Sequence, residues 1–176
     1  MMDESVIPEC FVDTNLIETL VPPQTRYNHQ KGCGTVTKIM KERFADRFAL
    51  GVIDKDKHQV DYLKEFEEVC NTDSLILHKH RTRHHYIIQI SPAIERFIIN
   101  NALAAGIALT DFGLPSDFDL LIRESKKVNS KNDPRFKRLF RSLMQFGAPD
   151  LQRLSSWVSY LKDNNYYVDL AVIQSM

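Results

Sequence analysis

The chain has 176 residues, 43% hydrophobic and 26% charged, a length that suits one domain around one core. Its 23 basic and 23 acidic residues cancel, so no global field draws in nucleic acid, and such a partner must be met by a local patch. No apolar run approaches the length needed to span a bilayer as a helix, so no membrane-spanning helix is expected.

In chain order, Cys10–Glu18 reads as a strand that ends in polar chemistry. Val21–Tyr27 must be loop, because its two prolines cannot sit in a ladder or a helix interior. The loop continues through Asn28–Gly34. A helix is expected over Thr35–Asp46, with Val36, Ile39, Met40 and Phe44 on one face and Thr35 as its N-cap. Phe48–Ile53 is a continuous apolar run ending at Asp54, the pattern of a strand covered on both faces. A second helix is expected over Val60–Val69, burying Leu63 and Phe66.

Ser74–Leu77 and Tyr86–Ile90 read as strands. The link between them is too short for a parallel crossover, so they pair as an antiparallel hairpin. Ser91 and Pro92 start a helix that runs to Ala105, with Glu95 in its first turn. Ser116–Asp119 has the form of a capping box before Leu120-Leu121-Ile122. Asp133-Pro134 opens a helix carrying Phe136, Leu139, Phe140 and Leu143. Pro149 opens another with Leu151, Leu154, Trp157, Val158 and Leu161. Tyr166–Ile173 reads equally as a last strand or an extended tail. The expected fold is α/β: a Rossmann-like, mostly parallel sheet flanked by helices over residues 1–108, with a helical C-terminal subdomain over 109–176 packed on it.

Chemistry is suggested by acidic residues at strand exits. Open α/β sheets bind ligands in the crevice outside the carboxyl ends of their strands. Glu18, Asp54, Asp56 and Glu95 fall at or just after such ends, and converging carboxylates suit a hard cation such as Mg2+ or Mn2+. Asp54-x-Asp56 alone is equally a polar turn, since Asp bonds its own backbone there. Glu18 shifts the balance, because an ionised Glu closing an apolar segment needs a cation nearby or a turn to solvent.

The order strand-Glu18, helix, strand-Asp54-x-Asp56, then strand-Ser91-Pro92-Ala-Ile-Glu95 resembles the TOPRIM domain, most closely its RloB-like and OLD-nuclease branch, over roughly residues 10–101. The resemblance implies a compact sheet with helices on both faces and Mg2+-dependent cleavage or transfer at phosphodiesters of DNA or RNA. Glu18 would be the first-motif Glu, Asp54 and Asp56 the metal-binding pair, and Glu95 the later acid. Where the family has Gly after its first Glu, this chain has Thr19. A competing resemblance, to PIN nucleases, rests on Val12-Asp13-Thr14-Asn15, with Glu42 and Asp111 as the other available acids.

Two basic features complete the list. Asn28–Thr35 carries Lys31 before a helix start and suits either a phosphate held on backbone N–H groups or a plain turn. His78–His85 packs four histidines, Lys79, Arg81 and Arg83 into one link. It is either a solvated hairpin or a phosphate-contacting surface, and Lys31, Arg81 and Arg83 are the expected nucleic-acid contacts. Cys10, Cys33 and Cys70 form no CxxC pair and read as thiols of a reducing compartment. The acidic start Met1-Met2-Asp3-Glu4 lacks the basic region of a signal peptide, so a cytoplasmic location is expected. No ATPase segment is visible, so any energy-driven step would need a separate ATPase subunit. No Ser-His-Asp order, nucleophile elbow or Cys-His pair supports covalent catalysis.

Overall fold

A computed structural model describes residues 2–55 and 60–176. At its centre is an open five-stranded sheet in the order β1 (Val6–Pro8), β2 (Ala49–Asp54), β5 (His85–Ile90), β4 (Leu75–His80), β3 (Phe66–Asn71). β1, β2 and β5 run parallel, with Pro8 beside Val52 and Asp54 beside Ile90. β4 and β3 continue the sheet antiparallel. The α/β class is as expected, but the sheet is mixed: half of it is parallel and half a meander. The hairpin between β4 and β5 forms as the short link requires.

Both faces of the parallel half are covered, which explains why β2 and β5 are apolar almost throughout. Alternate residues point to opposite faces of a strand. Val6, Leu50, Val52, Tyr86 and Ile88 enter one core with α1 (Phe11–Leu20), α3 (Ile94–Ala104), α5 (Pro134–Gln145) and α6 (Pro149–Asn164). Ile7, Ala49, Ile53 and Ile87 enter the other, against α2 (Cys33–Ile39), its π-helical continuation Met40–Phe44, and a 3-10 turn at Asp61–Glu65. Gly51 allows the second contact: a Cβ there would meet the Met40 sulfur and a Val36 methyl at 3.1 Å.

The C-terminal helices are built into the first core. Leu139, Phe140, Leu154 and Trp157 are fully buried in the same cluster as the sheet residues. Asn15 on α1 donates to the carbonyls of Ser130 (2.7 Å) and Asp133 (3.2 Å), tying the two ends of the chain together. Asp133 caps α5 by accepting from the Arg135 N–H, and Pro134 fills the first helical position, where a missing donor costs nothing. α4 (Phe118–Ser125) is capped by Asp117 in the same way.

Three expectations are corrected. Phe11–Leu20 is a helix, not a strand, and Glu18 lies in its last turns. Cys10 is its N-cap: the sulfur accepts from the Asp13 N–H, and the Asp13 carboxylate accepts from the Cys10 N–H. That reciprocal pair starts a helix whose buried positions Val12, Leu16 and Ile17 have helical spacing. Second, Val60–Val69 is not a helix. Its first half makes a 3-10 turn, and from Phe66 the backbone pairs with β4. Leu63 and Phe66 fit a helix period over one turn, and the bonds available from β4 decided the rest. Third, Gly32 rather than Thr35 caps α2, at a positive φ of 84° that favours glycine. The tail forms a 3-10 turn, Asn165–Tyr167, and a short helix, α7 (Leu170–Gln174).

Candidate functional site

The carboxyl ends of the three parallel strands open onto a cleft of about 580 Å³. Glu9 follows directly on β1, and its backbone N–H donates to the Val52 carbonyl at 2.9 Å. Asp54 is the last residue of β2, and its own N–H donates to Glu9 Oε2 at 2.9 Å. Asp54 Oδ1 in turn accepts from the Ile94 N–H at 3.0 Å, so this carboxylate caps α3. Glu95, one residue later, is buried and accepts a hydrogen bond from the Ser125 hydroxyl of α4. Glu9, Asp54 and Glu95 all line the cleft, together with Lys31, Lys55 and Lys126. Phe11, Ile94, Phe118 and Ile122 give it apolar walls.

Beneath the cleft lies Asp13, fully buried. One of its oxygens accepts from the Cys10 N–H at 3.2 Å; Oδ1 is out of solvent and has no partner among the described residues. Burial drives the Asp13 carboxyl up, with Glu9 and Glu95 adding repulsion against the Cys10 hydrogen bond, which pulls down. Asp54 is driven up by burial first, then by the charges of Asp13, Glu9 and Glu95. Asp13 and Asp54 therefore share one low-dielectric neighbourhood and resist ionising together. Cys10 beside them is pushed far above the usual thiol range by burial and by Asp13, which makes it an inert capping residue.

Asp54 and Glu95 are thus brought to one place. Glu18 is not: it is on α1 and absent from the cleft wall, and the strand-exit Glu is Glu9. A three-residue strand gives almost no periodicity, so β1 leaves little mark on the sequence, and the apolar side of α1 carries the stronger signal. Asp56 lies outside the described residues. Of the PIN set, Asp13 belongs to the acidic group but stands on a helix. Glu42 lines a different cavity beside Lys38 and Lys41, and Asp111 is exposed on a 3-10 turn.

Lys31 does reach the cleft, 5.6 Å above the Phe11 ring. Arg81 and Arg83 do not. The β4–β5 turn lies beside Ala49 and His85, the opposite end of the strands from Asp54 and Ile90. Five strand steps separate the two ends, roughly 17 Å. Arg81 is paired there with Glu67 at 3.3 Å. His80 and His85 are buried, His80 against Glu65 and His85 against the Tyr62 hydroxyl at 2.7 Å. Burial first, and neighbouring positive charge next, pushes His85 down to about 4. Two of the four histidines of this link, His80 and His85, are thus core groups beneath the turn and not surface groups, whereas His78 and His84 are half-buried.

Among the described residues, no three Asp, Glu, His or Cys side chains form a ready-made ion-holding group, and no helix is long and apolar enough to cross a membrane. Comparison with known proteins finds no match: no family model, no curated protein and no solved structure aligns with this chain.

Proposed function

We propose that the cleft carries out divalent-cation-dependent chemistry on phosphodiesters of nucleic acid, with Glu9 in the place expected of Glu18. The observation that carries this reading is the acidic group at the mouth of three parallel strands, with Asp13 and Glu95 buried and Glu9 and Asp54 half-buried. Burying several carboxylates together is costly unless a cation or protons neutralise them. The donors are all hard oxygens, the kind that Mg2+ or Mn2+ takes, and Asp13 Oδ1 is orphaned. Glu9, Asp54 and Glu95 would hold it, with Asp13 behind them. When bound, such an ion polarises a phosphate oxygen and lowers the pKa of water.

The rest of the wall suits the substrate. Lys31, Lys55 and Lys126 line the cleft and offer charge to phosphate oxygens. Phe118 and Ile122 offer an apolar surface against which a base or sugar can lie, and Arg96, 4.1 Å above the Phe118 ring, holds that ring in place. A second cavity of about 340 Å³ shares His29 with the first and is lined by Arg26, Arg43 and Lys131, which extends the basic surface beyond one phosphate. This favours a polymeric substrate over a single small phosphate. A PIN-type site has less support, because Glu42 and Asp111 stand apart from Asp13.

The test is Mn2+ binding, followed by electron paramagnetic resonance, together with cleavage of plasmid, single-stranded DNA and RNA. The wild-type protein is expected to bind Mn2+ and cut at least one substrate, and Glu9→Gln to lose both. A wild-type chain that binds no Mn2+ and leaves every substrate intact would sink the reading in favour of a non-catalytic assembly module. Any partner ATPase would show as cleavage that appears only on adding a cell fraction and ATP.

A further inference from the structure

The second cavity, of about 340 Å³, is built differently from the cleft beside it. Residues 28–30 run along the outer edge of β1: the Asn28 N–H donates to the Val6 carbonyl at 2.9 Å and the Gln30 N–H to the Pro8 carbonyl at 3.0 Å. Those bonds, with Tyr27 buried in the core, fix the backbone that carries Arg26. Arg43 comes from the π-helical continuation of α2, and Lys131 from a 3-10 turn, Val128–Asn132, between α4 and α5. Asn15 holds that turn through the Ser130 carbonyl at 2.7 Å. Three cations from separate segments thus line one cavity against a single carboxylate, Glu4. Glu4 is taken by Arg43 at 2.7 Å, and neither Arg26 nor Lys131 has an acidic partner among the described residues. A cavity lined by uncompensated charge of one sign concentrates ions of the other.

We propose that this cavity is a phosphate-binding site that needs no divalent cation, and that it seats the phosphate next to the one in the cleft. The second half of the proposal rests on the phosphodiester reading given above. The chemistry of the wall suits phosphate: a guanidinium meets two of its oxygens with two parallel N–H donors, and an ammonium adds a point charge. The cleft has the opposite character, because Glu9, Asp54 and Glu95 repel a phosphate until a cation is bound there. The two cavities meet at His29, which lines both. The charge of Lys131 reaches that shared wall: burial first, and Lys131 next, hold His29 below the usual histidine range. His29 is therefore neutral near pH 7, and Arg26 and Lys131 supply the attraction. A single strand carries a phosphate on every nucleotide, so one phosphate at the cleft brings its neighbour to the adjoining basic cavity.

The first measurement needs neither metal, turnover nor a variant: the full chain in chelator is titrated with inorganic phosphate and followed by 15N–1H correlation spectra. The amide signals of Tyr27, Asn28 and Lys131 should move along one saturating curve. Shifts confined to Gly32, Lys55 and Ala93 of the cleft, or no shifts, overturn the proposal. Arg26→Ala combined with Lys131→Ala should weaken phosphate binding about tenfold or more, since each removes a charge-assisted hydrogen bond. Arg81→Ala combined with Arg141→Ala removes the same charge from exposed positions outside both cavities, and should change the affinity by less than about twofold. An equal loss there reduces the effect to general surface charge and overturns the proposal. With Mn2+ and a single-stranded oligonucleotide, the Arg26 and Lys131 double variant should raise KM about tenfold and keep kcat. On bis(p-nitrophenyl) phosphate, which has no neighbouring phosphate, its KM should stay within about twofold of wild type. Equal increases on both substrates overturn the role as seat of the neighbouring phosphate. A wild-type protein that binds phosphate but cuts neither substrate overturns the phosphodiester reading while supporting the phosphate site. One that cuts both and binds no phosphate overturns the site and leaves that reading standing.

Discussion

Replacing Asp54 by Asn removes a charge and little else. The amide keeps an oxygen for the Ile94 N–H, which donates to Oδ1 at 3.0 Å, so the cap on α3 survives. Asp13 and Asp54 are pushed from 3.8 up to about 7 and about 9, by burial first and by neighbouring carboxylates next. Because the folded values lie above the unfolded ones, protonation favours the fold. The stabilisation is complete below the unfolded value near 4 and is lost as pH rises through the folded values. Each unit of difference corresponds to about 1.4 kcal/mol, and two groups that share one repulsion do not add. Asp54 alone crosses about four units between pH 5 and 9, so a loss of about 5 kcal/mol over that range is the right order. At about 2–4 °C per kcal/mol for a chain of this size, the metal-free protein should lose roughly 10–20 °C in Tm over that range. Asp54→Asn should lose less than half as much, melting about 5 °C above wild type at pH 8.5 and close to it at pH 5. Calorimetry in chelator measures this directly. Added Mg2+ should then raise the wild-type Tm and leave the variant unmoved. Parallel pH profiles, or a variant that melts below wild type at pH 8.5, would refute the reasoning.

Further outcomes follow from the same geometry. Glu18→Gln should leave both Mn2+ affinity and cleavage unchanged, since Glu18 is off the cleft; a loss like that of Glu9→Gln would restore it to the site. Lys126→Ala should reduce the salt slope of nucleic-acid affinity by about one unit, whereas Arg81→Ala with Arg83→Ala should leave it unchanged, because that turn is at the far end of the sheet. An Arg81 effect as large as the Lys126 effect would place the interface elsewhere. Gly51→Ala should destabilise by about 1–3 kcal/mol in urea unfolding, because the new methyl must displace Met40 and Val36 from contacts at 3.1 Å. A change below about 0.5 kcal/mol would show that α2 gives way freely.

Local signals determined most of the elements. The apolar runs at Phe48–Ile53 and Tyr86–Ile90 are legible because a strand covered on both faces has no polar side to show. The capping residues Asp117 and Asp133, and Pro134 and Pro149 at helix starts, mark α4, α5 and α6 because helix ends carry orphan donors that only certain residues satisfy. Asp54 and Glu95 were legible for the same reason, as acids at the ends of readable elements. Tertiary structure decided what local pattern leaves degenerate. Three residues, Val6–Pro8, make a strand only because β2 offers them a ladder, and that places Glu9 at the mouth. Phe66–Asn71 is a strand because β4 has free donors beside it. Asp13 gives no sign in the sequence that it faces Glu9, Asp54 and Glu95, and neither does His29 that its ring meets the Thr14 hydroxyl. Those relations span 15 residues or more of chain, apart from Asp13 and Glu9, and exist only once the strands lie side by side and α1 is buried beneath their ends.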